Sequence, residues 1–276
     1  MKLGYIDYLN CYPFYFHMFK RKPIDGVELI GGYPADLNRM MISGELDMSP
    51  ISAATCADLH EKALLLPDFC LSSVGYVGSV VLRSKVPIED LSGRIVGITR
   101  ASHTSVVLLK ILLQRYYGVE PVYRLADPNP ALGDLDAALI IGNEAMIGAR
   151  EPVSYSYDLG ELWLRKTGFP VVFAVFAVRE NALRKHGPKI RAVIGSYRDS
   201  LGCLKAEKGN VIAGARQKYP EIIYDIDAYY RLLQFEFTSE LKKAFGFYLE
   251  TAAELGLLDK IGQIRYLKPD KDLKGV

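Results

Sequence analysis

The chain is poor in the residues that usually mark metal sites and disulfide frameworks. Its 276 residues include only four cysteines and four histidines. The cysteines are Cys11, Cys56, Cys70 and Cys203, and none of them forms a Cys-x-x-Cys pair. The histidines are not spaced with them as metal ligands are. We therefore expect no metal site, and free thiols in or near the core, as in a reducing compartment.

Long apolar runs and a strong net charge are also absent. No stretch approaches the ~18 apolar residues that mark a membrane span. Residues 1–7 lack the basic and apolar pattern of a secretion signal, so we expect a cytoplasmic protein. Lys and Arg number 34 and Asp and Glu 32, which gives a net charge of +2. Nucleic acids and anionic membranes are therefore poor candidates as partners.

Strand-like and helix-like segments alternate along the first two thirds of the chain. Residues 2–7 and 27–31 have the pattern of strands, and Pro13 and Pro34 suit the first turns of the helices that follow them. Such alternation predicts an α/β fold with crossover connections. After residue 179, helical patterns dominate.

Two long predicted strands, 74–84 and 169–178, bracket a self-contained α/β block. We therefore predict two lobes with a central ligand cleft between them. Residues 1–84 and 177–276, with the helical C-terminal part, form the first lobe, and residues 85–176 form the second. Ligands of such proteins bind in the cleft, near strand ends and helix N-termini.

Several polar side chains fall at the end of a predicted strand or the start of a predicted helix. They are Asn10, Ser49, Ser52, the cluster 102–105, Gly142 and Asn143. Helix N-termini carry free N–H groups and a partial positive charge, so hydroxyls there can bind a carboxylate without Arg or Lys. Plain helix capping explains any one of these segments about equally well. Three hydroxyls in four residues, on Ser102, Thr104 and Ser105, favour ligand binding for the cluster.

Asn10 and Ser79 are the remaining candidates, and each has a simpler alternative. The Asn10 amide can donate and accept, so it can orient a substrate hydroxyl, but an Asx-turn before Pro13 also explains it. Ser79 follows Gly75 and Gly78 in a predicted strand. Glycines there indicate the close approach of a ligand or another backbone, or a bend at a lobe crossover. The pattern does not choose between them.

Eight short segments carry a family resemblance through their order and spacing. They are Gly4-Tyr5-Ile6-Asp7-Tyr8-Leu9-Asn10-Cys11-Tyr12-Pro13, 34–38, 44–52, 66–68, 75–82, 104–105, 138–142 and 158–163. Together they resemble the menaquinone-biosynthesis family of the futalosine pathway, and within it the chorismate dehydratases. The resemblance runs from residue 3 to about residue 177 and is weaker through the helical tail.

The resemblance implies a fold like that of the type II periplasmic binding proteins. It also implies a reaction in which chorismate loses water across its C3–C4 bond and becomes 3-[(1-carboxyvinyl)oxy]benzoate, with no cofactor. We expect Asn10 to hold the leaving hydroxyl and Ser79 to position the ring or its enolpyruvyl group. The substrate-binding residues expected are Ser52, Ser102, Thr104, Ser105, Gly142 and Asn143.

The sequence departs from the family pattern at two places. Asn143-Glu144 stands where relatives often show Asp-Glu, and Ala53 stands where a second serine is common. One alternative function is the sister enzyme, 1,4-dihydroxy-6-naphthoate synthase, which is expected to use a cleft histidine where this chain has Gly142-Asn143. The other is a small-anion solute-binding protein, which would be expected to carry a secretion signal or a lipid-attachment cysteine.

Overall fold

The computed structural model describes residues 1–147, 152–268 and 272–273. Eleven strands occur within these ranges. They are β1 (Lys2–Ile6), β2 (Glu28–Gly32), β3 (Met48–Ser52), β4 (Ala63–Ser73), β5 (Val80–Ser84), β6 (Ile95–Thr99), β7 (Val122–Ala126), β8 (Ala137–Ile141), β9 (Tyr155–Asp158), β10 (Val171–Arg179) and β11 (Leu233–Glu236).

Helices of the same ranges pack around these strands, and several of them have only one turn. The α-helices are α1 (Tyr12–Lys20), α2 (Pro34–Ser43), α3 (Cys56–Leu59), α4 (Thr104–Ile111), α5 (Asn143–Met146), α6 (Leu159–Thr167), α7 (Glu180–Ala206), α8 (Lys208–Lys218), α9 (Ile226–Leu232) and α10 (Ser239–Glu254). None of the helices in the described part of the chain is long and apolar enough to span a membrane.

The strands form two separate sheets. The first has the order β11-β4-β10-β3-β1-β2 and the second has the order β7-β6-β8-β5-β9. In the first sheet β1 is parallel to β2 and β3, while β10 runs antiparallel to β3 and β4. In the second, β6 is parallel to β7 and β8. The parallel pairs need crossover helices, so the α/β class predicted from the sequence is confirmed.

Local signals set the helix bounds near the first sheet. Pro34 occupies the first turn of α2, where its missing N–H costs nothing, and Gly44 ends the helix in the left-handed conformation (φ 85°). Behind the sheet, α1 packs against α7. The rings of Phe14 and Phe176, whose centroids are 4.5 Å apart, fill the space between α1 and β10. This packing fixes the start of α1 and the turn before it, which carries Asn10.

The predicted continuous strand at 74–84 is wrong. β4 ends at Ser73 and β5 begins at Val80, and the two belong to different sheets. Gly75 and Gly78 lie between them with φ angles of 80° and 73°, a region that side chains with a Cβ rarely adopt. The glycines therefore mark a bend at a crossover, which is one of the two alternatives left open above.

The chain passes from the first sheet to the second over residues 74–79 and returns over residues 159–170. β5 therefore lies in the second sheet, and the start of β10 lies in the first. An apolar strand pattern does not show which sheet the strand joins. The lobe boundaries at 84/85 and 176/177 stay a prediction.

Candidate active site

A cavity of about 480 Å³, including the solvent at its mouth, lies between the two sheets. The apolar residues that line it are Ile6, Pro34, Leu71, Val77, Val80, Ile141, Phe173, Ala174 and Leu233. The others are Tyr8, Asn10, Ser52, Ser79, Ser102, Ser105 and Gly142. A mostly apolar cavity with a few converging polar groups is the usual form of a small-molecule site.

The polar lining of the cavity is uncharged. Within the described chain, no Lys, Arg, His, Asp or Glu lines it. Tyr8 is the one lining residue there with an ionisable side chain, and burial raises the pKa of its hydroxyl, as does nearby Glu144. Nor do the described residues place three His, Cys, Asp or Glu side chains where they could hold a metal ion. The cavity thus offers neutral donors and acceptors to a ligand.

The structure brings six of the eight predicted site residues to this one cavity. They are Asn10, Ser52, Ser79, Ser102, Ser105 and Gly142. Thr104 and Asn143 lie outside its lining, and their side chains bond to the protein instead. The sequence placed both at helix starts, which is where they are, but it could not show which way each side chain turns.

Asn10, Ser79 and Tyr229 meet at one end of the cavity, which we name the amide corner. The hydroxyl of Tyr229, on α9, donates a 2.8 Å hydrogen bond to Ser79 Oγ. Asn10 Oδ1 is buried, and no partner for it occurs in the described chain. A buried amide oxygen without a partner costs about 1–3 kcal/mol, so a ligand that donates to it is favoured.

The position of Ser79 is fixed by its own backbone and by the loop before it. Gly142 N donates to Ser79 O over 2.7 Å, which joins the start of β5 to the end of β8. The Asp158 carboxylate accepts from the backbone N–H groups of Val77 and Gly78, and at the same time caps α6. Burial raises the pKa of Asp158, and these backbone bonds partly offset that effect.

Ser102 and Ser105 form a second polar end of the cavity, which we name the serine turn. Ser102 Oγ accepts from Ser105 N (3.2 Å) and donates to Ser105 Oγ (3.2 Å) at the start of α4. The turn is therefore a local helix cap whose hydroxyls also line the cavity. The N-terminal end of α4 carries a partial positive charge, which suits a carboxylate.

Ser52 lines the cavity from the first sheet, held by a residue that the sequence did not single out. Asn38, on α2, donates to Ser52 Oγ and accepts from Ser52 N, both at 2.9 Å. Both residues are buried. The two bonds fix the direction of the Ser52 side chain. Asn38 lies within the 34–38 segment of the family resemblance, and this pairing gives it a structural role.

Thr104 joins the start of α4 to β10 and to the turn after β3, and it does not line the cavity. Its hydroxyl donates to Phe173 O (2.9 Å) and accepts from Ala54 N (3.3 Å). A register shift between β4 and β10 falls at Phe173, so this carbonyl lies at an irregularity of the ladder. Thr104 supplies a donor to it. The side chain of Phe173 lines the cavity.

Asn143 and Gly142 act on the turn that follows β1. Asn143 Oδ1 accepts from Leu9 N over 2.8 Å in a buried position. Gly142 has φ 61°, and a Cβ there would lie 2.4 Å from the ring of Tyr8. Gly142 is thus required both by its conformation and by the close approach of Tyr8. The two residues hold the Asn10 turn against the second sheet.

Tyr229 is the residue of the amide corner that sequence reasoning missed. It lies on a helix among other apolar residues, so the sequence pattern predicts a core residue. The structure agrees, since Tyr229 is 1% exposed. Its partner Ser79 is 150 residues away in the chain. No local signal connects two such positions, so the pairing could only come from the structure.

Solved structures with a similar fold include periplasmic binding proteins. The alkanesulfonate-binding protein of Xanthomonas axonopodis pv. citri, bound to MOPS, has a TM-score of 0.67, 13% identity and 94% coverage of each chain. A Candida albicans protein described as having the generic periplasmic binding protein fold has a TM-score of 0.61, 13% identity and 99% coverage of each chain. These likenesses confirm the predicted fold.

Curated relatives are more similar in sequence. The chorismate dehydratase of Thermus thermophilus is 32% identical over 223 residues, which are 74% of this chain and 78% of that protein. A 1,4-dihydroxy-6-naphthoate synthase of Streptomyces coelicolor is 25% identical over 239 residues, or 82% of each chain. The family thus includes more than one activity.

The family itself is established by a model that covers most of the chain. The model described as menaquinone biosynthesis matches residues 1–254, which include both sheets and the whole cavity lining. Together with the relative at 32% identity, this match confirms the family resemblance found in the sequence: the chain belongs to the menaquinone biosynthesis family.

Proposed function

We propose that the protein is an enzyme, a chorismate dehydratase that converts chorismate to 3-[(1-carboxyvinyl)oxy]benzoate and water. The observation that carries this proposal is the cavity lined by an amide and hydroxyls, with no charged side chain from the described chain. Such a lining suits a reaction that needs orientation and hydrogen bonding more than a protein acid or base. The relative from Thermus thermophilus named for this activity supports it.

The elimination balances without any co-reactant. A substrate carboxylate takes the C3 proton, and the electron pair of the C3–H bond forms the new C3–C4 double bond. The C4–O bond breaks, and the carboxylic acid formed by the C3 proton gives that proton to the departing hydroxide, which becomes water. The product ring is aromatic, so the reaction is strongly downhill. The enzyme then has to hold one conformation in which the carboxylate faces the C3 proton.

The amide corner is assigned to the leaving group. The unpartnered Asn10 Oδ1 accepts from the C4 hydroxyl and orients it. Ser79 lines the same end and donates toward the oxygen as the C4–O bond lengthens. A donor aimed at developing negative charge stabilises the transition state more than the ground state.

The serine turn is assigned to a substrate carboxylate. Ser102 and Ser105 line the cavity at the N-terminus of α4. Because Ser102 gives its proton to Ser105 Oγ, the Ser105 hydroxyl and the helix end provide the donors, without a cation. Ser52 and Gly142 are assigned to the remaining contacts, because both also line the cavity. Thr104 and Asn143 are assigned to holding the walls of the cavity in place.

Two other functions each predict something different at this cavity. A naphthoate synthase is expected to place a histidine after the strand now seen as β8, where this chain has Gly142 and Asn143. A solute-binding protein would bind chorismate or another small anion and release it unchanged. Turnover of chorismate distinguishes the enzyme from both.

The experiment is incubation of purified protein with chorismate, with ultraviolet and mass detection of products. Since chorismate decomposes unaided, an enzyme-free sample runs in parallel. We expect an aromatic product lighter by one water. Two buried serines give a matched pair of variants: Ser79→Ala should lower the rate, whereas Ser84→Ala, which removes two bonds to the backbone of Val86 and none at the cavity, should not. Chorismate that survives as in the enzyme-free sample contradicts the proposal.

A further inference from the structure

Tyr229 is a buried hydroxyl that contacts a proposed catalytic residue without lining the cavity. It is 1% exposed, and its ring lies on α9, well apart in sequence from the other residues of the amide corner. Burial raises the pKa of its hydroxyl. The hydroxyl is therefore neutral at physiological pH and has one proton to donate.

We propose that Tyr229 is a positioning residue that turns the Ser79 hydroxyl proton toward the substrate. The proposal rests on the proposed function and adds a residue to it. The geometry that carries it is the 2.8 Å bond in which Tyr229 donates to Ser79 Oγ, at a serine that lines the cavity.

A serine hydroxyl has one proton and two lone pairs. Because the Tyr229 proton occupies one lone pair of Ser79 Oγ, the Ser79 proton cannot also point at Tyr229 along the same line. In the described chain the bond from Tyr229 is the one hydrogen bond of Ser79 Oγ, so the Ser79 proton is left to the cavity, where the departing hydroxyl is the acceptor.

The test is a double-mutant cycle in kcat with the full-length protein and chorismate. Tyr229→Phe keeps the ring and removes only the hydroxyl. We expect kcat to fall about 10- to 100-fold, as for the loss of one oriented hydrogen bond, with KM changed by less than about threefold. In a Ser79→Ala background the same change should have almost no further effect on kcat, because the residue that Tyr229 orients is gone.

A matched control separates positioning from packing. Tyr197 is also fully buried, and its hydroxyl donates to another hydroxyl, Tyr15, in the core of the first sheet. Tyr197→Phe should lower the Tm about as much as Tyr229→Phe but leave kcat unchanged. If Tyr229→Phe and Tyr197→Phe both change only the Tm, the inference is overturned. It is also overturned if the kcat losses from Tyr229→Phe and Ser79→Ala multiply in the double variant.

Failure of the inference and failure of the proposed function give different results. Wild-type protein that does not turn over chorismate overturns both. Wild-type turnover with a normal kcat in Tyr229→Phe overturns the inference alone. Should Tyr229→Phe not fold, 3-fluorotyrosine placed at position 229 keeps the ring and alters the strength of the donor. A change in its kcat at constant KM supports the inference, and an unchanged kcat overturns it.

Discussion

The two polar ends of the cavity are built in different ways. The amide corner joins residues 10, 79 and 229, which come from three distant parts of the chain, and it leaves a buried acceptor without a protein partner. The serine turn joins Ser102 and Ser105, three residues apart, in a local helix cap. A long-range, unsatisfied arrangement is costly unless a ligand completes it, whereas a cap stabilises the fold by itself. We therefore assign transition-state stabilisation to the amide corner and ground-state binding to the serine turn.

The largest effect is predicted at the amide corner. Asn10→Asp keeps the size of the side chain but places a negative charge beside a dianionic substrate and a departing hydroxide. Turnover should fall by at least ~100-fold, because the carboxylate repels the negative charge that develops on the departing oxygen and that the site otherwise stabilises. Steady-state kinetics with chorismate measure it.

The control for that variant is Asn129→Asp, which adds the same charge at an exposed loop position. It should keep normal kinetics, and thermal unfolding should show that both variants are folded. Near-normal turnover in Asn10→Asp would make Asn10 a turn residue, and the contrast between the two ends would be lost.

The serine turn should respond in KM rather than in kcat. Ser105→Ala removes one donor to a substrate carboxylate, and a hydrogen bond to a charged group contributes about 1.5–3 kcal/mol. KM should therefore rise about 10-fold or more while kcat changes little, because binding of substrate and transition state weakens equally. A fall in kcat larger than the rise in KM would reverse the assignment of the two ends.

The difference between the two ends also explains what the sequence could predict. Ser102 and Ser105 were found because a helix start with several hydroxyls is a local pattern. The α/β class and most strands followed from alternation of strand and helix signals. The partner of Ser79 could not be found, since Tyr229 reads as a core residue on a helix. Nor could the sheet that β5 joins be found, because pairing is decided by residues far along the chain.

Thr104 lies inside the serine turn but is expected to affect stability. Its buried hydroxyl bonds to Phe173 O and Ala54 N. Thr104→Val keeps the shape and leaves that carbonyl without its donor, so the free energy of unfolding should fall by about 1–2 kcal/mol. KM should change less than in Ser105→Ala. Denaturant unfolding and kinetics on both variants measure this, and a large KM effect with unchanged stability would return Thr104 to the substrate site.

The smallest expected effect is on the pH dependence of stability. It concerns His103, which precedes α4 and whose Nδ1 lies 3.1 Å from Thr55 Oγ1. Burial lowers the pKa of His103, and Lys110 adds to this while Asp58 opposes it. The unfolded chain therefore binds more protons than the folded one as pH falls through about 6.5, and stability is lost there.

A variant isolates this contribution. The Tm of the wild-type protein should drop more between pH 7.5 and pH 5.5 than the Tm of His103→Gln, which has no group to titrate at that position. Parallel curves for the two proteins would show that His103 does not carry the pH dependence of stability.

The central claim is that the protein supplies hydrogen bonds and no titrating acid or base to the elimination. Its most direct test is the pH dependence of kcat with saturating chorismate. Because no charged side chain of the described chain lines the cavity, and burial raises the pKa of Tyr8, kcat should be flat between about pH 6 and pH 9. A bell-shaped profile, or a single limb with an apparent pKa near 7, would show that a protein group moves the proton and would contradict the account.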